Sequence, residues 1–600
     1  MNYQNPLMPL LIWRLKHIND NNFTLIISGF VGLLAGLAAV TLKTTVHFIE
    51  QILQNNIEVT GWKYLWVFYP TIGILLTVFI AKYILHDSTG HGISKVLYAI
   101  SKRSSIIRKT RMYSNMLTSA ITVGFGGSAG LEAPIVVTGS AIGSNLARMV
   151  HLDYKKRTLM IGCGAAAAVS AIFNSPIAGV IFAVEVMLTD VTINKFIPIL
   201  IASVCGQLIS LILLGDDILF FFKLTEGFSA WSTPFYLILG LCCGAASVYF
   251  TRMLSRTEDS IHKIKKPLFR ALIGGLSLGL FLLVFPSLYG EGYQIVINLL
   301  KGTPTALFES NYFIDPLGST HQWFIPLALF FLILLKPIAT GLTLGAGGSG
   351  GIFAPSLYMG GLVGCIIGLI FQWIYPEAPV NLSHFTLVGM CGVMSGVLHA
   401  PLTAIFLIAE ITSGYLLFVP LMLVSAISYI TVSYFEKHSI YMRNLIKRGD
   451  LVINDRDKMV LNKISLKKMI ETDLLTVAPD ATLDELIPLI KKSTRNIFPV
   501  VSKDGALKGI ITLDHIREIM FDESRRKNLT INTLMTQVPA QVSSYDNMQT
   551  VMNKFEISHA WNLPVIDEGK YIGFLSKSRI FNTYRTHLIR QTKELSLIHI

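Results

Sequence analysis

The chain has 600 residues, 52% hydrophobic and only 14% charged, with a mean hydropathy of +0.55. A soluble chain of that length carries about a quarter charged residues, so an ordinary soluble globular protein is excluded. The net charge of +13 lies in basic clusters between apolar runs, as in SKRSSIIRKTR (101–111) and HKIKKPLFR (262–270). That placement follows the positive-inside rule for cytoplasmic loops; it marks topology and not a nucleic-acid surface.

In chain order, the apolar runs FTLIISGFVGLLAGLAAVTL (23–42), YLWVFYPTIGILLTVFIAKYIL (64–85), FIPILIASVCGQLISLILLG (196–215) and FIPLALFFLILLKPIATGLTL (324–344) stand out. Each approaches or exceeds the ~20 residues that cross a bilayer as a helix. Roughly ten to twelve such cores precede residue 440 or so, some broken by Gly and Pro. The expectation is an α-helical polytopic membrane protein held in a lipid bilayer. No cleavable signal peptide is expected, because the first apolar run lies behind a polar segment without a small-residue cleavage site. The six cysteines (Cys163, Cys205, Cys242, Cys243, Cys365, Cys391) all fall in apolar sequence without metal-ligand spacing, as small hydrophobes in helix packing do.

The membrane region repeats itself. GGSAGLEAP (126–134) returns as GGSGGIFAP (347–355) at an offset of 221, and NSPIAGVIFAVE (174–185) returns as HAPLTAIFLIAE (399–410) at 225. Two motifs at nearly one offset imply an internal duplication of about 20–215 and 230–440; transporters built this way place their sites on broken helices at the repeat interface. Sequence alone leaves open whether the halves are inverted. Glycine exposes backbone, and Pro is tolerated at a helix start, so GGSxGxxAP is expected to feed a helix N-terminus at membrane depth. There the first N–H groups lack internal partners and the dipole is positive. Two such ends converging would hold a partly dehydrated anion, weakly enough for it to leave again. Glu132 exists only in the first copy. Its carboxylate can act as a tethered competitor for the positive end, or simply cap its own helix; an ionisable residue at membrane depth favours function.

Beyond residue 440 the composition turns polar, and an α/β module follows. TVAPDATLDELIPLIKKSTRNIFPVVSKDGALKGIITLDHI (476–516) and AQVSSYDNMQTVMNKFEISHAWNLPVIDEGKYIGFLSKSRI (540–580) share one pattern, with Pro499/Pro564 and Gly509/Gly573 about 65 residues apart. This resembles a tandem pair of CBS domains, a cytoplasmic regulatory module that often binds adenine nucleotides. The expected boundaries are 1–445 for the membrane domain, 446–465 for a linker, 466–525 for the first CBS domain and 526–600 for the second.

The membrane motifs resemble the CLC family of chloride channels and proton-coupled chloride transporters. GHGIS (90–94) is similar to the family's GSGIP, GLEAP (130–134) to GREGP, GIFAP (351–355) to GxFxP, and HSIY (438–441) to the segment with the pore tyrosine. The resemblance implies an inverted-repeat fold with broken helices and a homodimer with one anion pathway per subunit. It also implies chloride as the permeant ion and Glu132 as the gate. The anion site it implies comprises His91, Gly92, Gly130, Leu131, Ala133, Ile352, Phe353 and Tyr441.

Three departures bear on mechanism. Leu131 and Ala133 replace the family's usual Arg and Gly, with the gate glutamate kept. His91 replaces the central serine that helps set chloride over nitrate, which puts anion selectivity in doubt. Val186 stands where proton-coupled members carry an internal proton-transfer glutamate, directly after Glu185, so Glu185 and Val186 mark the candidate proton path. Valine cannot relay a proton. The sequence therefore favours a passive voltage- or pH-gated chloride channel, with a chloride/proton antiporter as the alternative.

Glu185 and Glu410 mirror one another across the repeat and read best as structural carboxylates bonded to backbone donors. In the CBS pair, Thr512 and Asp514 match positions that contact phosphate and ribose in nucleotide-binding members, while the second copy offers Ser576 and Ser578. Thr-x-Asp before a helix is also an ordinary N-cap. No HExxH, GxSxG or Walker loop is present, so a membrane enzyme is disfavoured, and neither a metal nor an obligatory cofactor is expected. A bacterial plasma membrane, with the CBS pair in the cytoplasm, is the expected location.

Overall fold

The computed structural model describes residues 16–60, 65–87, 92–188, 193–215, 228–302, 324–376, 380–412, 414–447 and 464–586. His91 lies outside the described residues. The chain divides into two compact units, Met1–Leu451 and Val452–Ile600. Among the described residues of the first, nine helices are long and apolar enough to cross a membrane, and three shorter apolar helices accompany them.

The first repeat contains α1 (Asp20–Thr60), α2 (Tyr69–Phe79), α3 (Gly92–Lys102), α4 (Ser114–Gly124), α5 (Glu132–Met149), α6 (Tyr154–Phe173), α7 (Pro176–Phe182) and α8 (Ile193–Leu214). The second contains α9 (Thr233–His262), α10 (Pro267–Val284), α11 (Tyr293–Leu300), α12 (Phe324–Ala346), α13 (Phe353–Ile374), α14 (Leu382–Leu398), α15 (Pro401–Ile411), α16 (Phe418–Phe435) and α17 (Ile440–Lys447).

Local chemistry sets where these helices start and stop. Asp153 caps α6 by accepting from the Lys156 N–H, and Asn381 caps α14 through Ser383 and His384. Each helix then ends on a left-handed residue, Asn174 (φ 54) and His399 (φ 56). A proline two residues on opens the next short helix, α7 or α15, because Pro suits the first turn and cannot continue the previous one.

The duplication shows in the packing. A Cβ on Gly139 of α5 would strike the backbone oxygen of Gly164 on α6; in the second repeat Gly360 of α13 meets Gly389 of α14 in the same way. Small residues let helix backbones touch where lipid supplies no hydrophobic drive. The core runs through both repeats, from Ile135 and Phe173 to Phe353, Phe385 and Tyr441.

The second unit is itself a repeat. Helix α18 (Leu483–Lys492) precedes a hairpin of β1 (Ile497–Val501) and β2 (Leu507–Thr512); helix α19 (Met548–Ser558) precedes β3 (Asn562–Asp567) and β4 (Lys570–Ser576). Phe498 pairs with Ile511, Leu563 with Leu575, and both hairpins bulge at the same step, Val500/Val501 and Val565/Ile566. Val477 bridges Val500 in parallel and Val542 bridges Val565. The copies also exchange single bridges, Glu471 with Phe574 and Thr536 with Ile510, so each lead-in segment completes the other copy's sheet.

Candidate functional site

The two glycine phrases meet face to face. Gly130 donates its N–H to Gly351 O at 2.9 Å, and Gly351 returns the bond to Gly130 O at 2.7 Å. A step outward, the Ser128 N–H donates to the Thr343 hydroxyl (3.1 Å) and the Ser349 N–H to the Thr122 hydroxyl (3.0 Å). Equivalent residues of two repeats can pair antiparallel only about a twofold axis perpendicular to the chain there. The two repeats are therefore related here by a local twofold, a relation the sequence offset alone did not show.

From this joint α5 and α13 depart with their N-termini adjacent. Regular intrahelical bonding starts with the N–H groups of Ile135 and Ser356, and Pro134 and Pro355 have none to give. The N–H groups of Glu132, Ala133, Phe353 and Ala354 are thus unspent by the helices, in a site where Leu131, Ala133, Ile352 and Phe353 are all buried. Phe353 is fixed by stacking on Phe173, centroids 5.3 Å apart.

The Glu132 side chain, 2% exposed, turns back over Gly130 and faces the Ala354 N–H of the other repeat's helix. One carboxylate oxygen accepts from the Tyr293 hydroxyl; the other has no hydrogen-bond partner among the described residues. Tyr441 is buried as well, and its hydroxyl is likewise without a partner. Its backbone carbonyl accepts from the Ser94 hydroxyl at 2.7 Å, which ties α17 to α3. Gly92 opens α3 against α5, where a Cβ would come 2.5 Å from Val137. The structure thus gathers Gly130, Leu131, Glu132, Ala133, Ile352 and Phe353 into one joint, and leaves in that neighbourhood a buried Tyr441 hydroxyl that can donate to an incoming anion.

Sequence reasoning missed Tyr293, Glu291 and Lys336. Glu291 Oε1 accepts the Leu131 N–H at 2.9 Å. Lys336 is fully buried, donates to Gly290 O at 3.3 Å and stands 4.6 Å from the Tyr358 ring centroid. A lone Lys inside an apolar run and an acid in YGEGY were the available signals.

The candidate proton path looks different in space. A wide helical turn over Ala183–Met187 ends α7 and aims Glu185 at the N-terminus of α15, where it accepts Leu402 N–H (3.1 Å), Thr403 N–H (2.8 Å) and the Thr403 hydroxyl (2.6 Å). Glu410 does the same to α7, accepting Ile177 N–H (3.0 Å) and Ala178 N–H (2.8 Å). Each repeat caps the other's broken helix, and the Glu185 carboxylate is fully engaged. Val186 packs against the core.

In the second unit, a cavity of about 500 Å³ is lined by Glu471, Arg495, Ser576, Ser578, Arg579 and Asn582 among others. Its size suits a nucleotide-sized ligand, and the serine hydroxyls and arginines are donors for phosphate. Arg495 and Arg579 already pair with Glu471, at 3.0 and 3.4 Å. Thr512 and Asp514 do not line this cavity. Asp514 is 80% exposed and pairs with Arg517.

Residues 73–433 match the family model described as voltage gated chloride channel, and residues 466–522 and 531–585 match the CBS domain. A chloride channel protein ClcB-like of Ralstonia nicotianae is 26% identical over 71% of this chain and 97% of its own. Chloride channel protein CLC-e of Arabidopsis thaliana is 26% identical over 88% and 82%, and the H+/Cl− exchange transporter ClcA of Vibrio parahaemolyticus 27% over 66% and 84%. Among solved structures, a slow cyanobacterial Cl−/H+ antiporter aligns with a TM-score of 0.61 at 21% identity, covering 72% of this chain and 99% of its own. A eukaryotic CLC transporter aligns at 0.58 and 18%, covering 93% and 97%. Inverted repeats meeting at two glycine-opened helix ends, with a family match over most of the membrane unit and two CBS domains behind it, mean that this chain belongs to the CLC family of chloride channels and transporters and is not an enzyme.

Proposed function

We propose that this protein exchanges chloride for protons across its membrane, as a homodimer with one anion pathway per subunit and Glu132 as the gate. The observation that carries it is the Glu132 carboxylate, held at the joined N-termini of α5 and α13 beside the Ala354 N–H. An anion can take those donors only if the carboxylate leaves or loses its charge, and a carboxylate that takes up a proton in order to leave links the two ions. Support for exchange over passive conduction comes from relatives such as the Vibrio H+/Cl− exchange transporter. Tyr441, with its partnerless buried hydroxyl, supplies a further donor to the anion, and His91 tunes which anion is taken.

The second reading is the passive channel, favoured by Val186 at the internal proton position. Under exchange, protons must travel inward without Val186 or Glu185, along water or another side chain. The CBS pair acts as a cytoplasmic modulator, with an adenine nucleotide in the cavity at Ser576 and Ser578, and the host membrane is a bacterial plasma membrane.

The purified protein in planar bilayers tests the main point through its reversal potential under a chloride gradient, with and without a superimposed pH gradient. Exchange requires the potential to move with pH. A potential fixed at the chloride equilibrium value under every pH gradient establishes the channel instead.

A further inference from the structure

The loop Tyr289–Tyr293, sequence YGEGY, lies between two helices of the second repeat, yet its bonds run to the gate segment of the first. The Tyr289 hydroxyl donates to Gly124 O at 3.3 Å, and the Gly290 N–H to Gly126 O at 3.4 Å. Glu291 takes the Leu131 N–H at 2.9 Å, and the Tyr293 hydroxyl donates to the Glu132 carboxylate. The loop is fixed in turn from behind. Lys336 donates to Gly290 O, and Gly290 and Gly292 adopt positive φ of 55° and 84°, which glycine alone does at little cost. At Gly292 a Cβ would also come 2.7 Å from the Tyr358 ring. A loop so shaped sets Glu291 and Tyr293 on the two residues that open α5.

We propose that this loop is a latch on the gate: Tyr293 holds the Glu132 carboxylate in the closed position, and Glu291 occupies the Leu131 N–H that an arriving anion would otherwise use. The proposal rests on the reading of Glu132 as the gate. Tyr293 and Glu291 are positioning residues in it, acting through Glu132 and through the helix end. The charged groups facing Glu291 are Glu132 from α5, Glu50 from α1 and Lys336 from α12. Lys336 offsets the second, half-buried carboxylate and keeps the loop in place, and the latch opens when the Tyr293–Glu132 bond breaks.

The chemistry sets the expected effects. A hydrogen bond to a charged group shifts an equilibrium on the order of tenfold or more, so Tyr293→Phe, which keeps the ring, should raise chloride efflux from proteoliposomes about tenfold. Glu291→Gln removes a negative charge from the anion's neighbourhood and should tighten chloride binding to the purified protein several-fold by calorimetry. The decisive comparison is Glu132→Ala against Glu132→Ala/Tyr293→Phe. With no carboxylate to hold, the second change should add nothing.

Four outcomes separate the possibilities, each judged on protein that elutes as wild type in size exclusion. Faster efflux in Tyr293→Phe that disappears in the Glu132→Ala background supports the latch. Efflux equal to wild type in Tyr293→Phe, with Glu132→Ala clearly altered, overturns the latch and leaves the gate standing. An unaltered Glu132→Ala overturns the gate itself, and the latch with it. Weaker chloride binding in Glu291→Gln overturns the competing role of Glu291.

Discussion

Glu185 is the residue on which fold and mechanism make opposite demands, so its replacement is the most informative. As a cap it accepts three hydrogen bonds at the start of α15, where Glu410 accepts two at the start of α7. Hydrogen bonds to charged groups contribute about 1.5–3 kcal/mol each, and orphaned donors cost a similar amount. Glu185→Ala should therefore destabilise the membrane unit by roughly 4.5–9 kcal/mol and Glu410→Ala by roughly 3–6 kcal/mol, with relaxation and water pulling both toward the lower figure. Glu185→Gln keeps one acceptor oxygen but aims an amide N–H₂ at a donor, and should cost about half as much as the alanine change. The assay is thermal unfolding of the detergent-solubilised full chain, followed by size exclusion after stepwise heating. The order of midpoints should be wild type, Glu185→Gln, Glu410→Ala, Glu185→Ala. Surviving Glu185→Gln protein should keep the wild-type response of its reversal potential to a pH gradient. A wild-type midpoint together with loss of that response would refute the cap and make Glu185 a proton carrier.

Three further outcomes follow from other parts of the molecule. Gly164→Val places side-chain atoms against the Gly139 carbonyl, a backbone contact that cannot give way, so expression of the variant should yield no monodisperse protein, whereas exposed Gly215, with nothing within 4 Å of its Cβ but a positive φ of 71°, should take alanine at a backbone cost of only about 1 kcal/mol and still yield folded protein. Tyr441→Phe removes a buried hydroxyl that has no hydrogen-bond partner among the described residues, so the midpoint should hold steady while chloride affinity falls roughly three- to tenfold by calorimetry. Hydrogen bonds from Ser544 and Ser543 hold the Asp567 carboxyl below its ordinary range. A carboxyl lowered in this way contributes stability above its unfolded value of about 3.9, and that contribution is lost as pH falls through the lower folded value. Amide exchange around Val542 and Asp567 should therefore stay slow at neutral pH and quicken below about pH 4, whereas Asp567→Asn should exchange fast at neutral pH with a flatter profile.

What the sequence revealed was whatever the duplication wrote twice. The offsets of 221 and 225 pointed to the helix ends, to the mirrored glutamates and to the NSP and HAP breaks, all of which are paired features in space. The twofold relation of the halves was hidden, because an offset carries no direction; the antiparallel Gly130–Gly351 bridge supplied it. The Tyr289–Tyr293 loop was hidden because it occurs once and has neither helical nor strand period. Lys336 was hidden because one cation barely alters the hydropathy of a 23-residue helix. In the CBS pair the short local pattern around Asp514 suggested ribose, and the exposed side chain pairs with Arg517 one helical turn away, as residues at helix starts commonly do.

The same comparison explains why symmetry stops at the site. Gly130 and Gly351 bond each other, Ser128 bonds Thr343 as Ser349 bonds Thr122, and Glu185 caps α15 as Glu410 caps α7, so a change in one copy damages both halves. Position 132 is different: its counterpart at offset 221 is Phe353, an aromatic stacked on Phe173. Each helix end contributes about half a positive charge, so the joined N-termini of α5 and α13 balance about one negative charge in total. Glu132 already supplies it. The second acid, half-buried Glu291, is faced by the buried Lys336. With both acids ionised the joint is close to neutral, and an anion gains little by entering until Glu132 withdraws or is protonated. Phe353→Glu would add a carboxylate with nothing left to balance it. On the proposed reading of Glu132 as the gate, a joint of this charge admits one anion at a time and carries one gate, which accounts for a glycine phrase written twice and a glutamate written once.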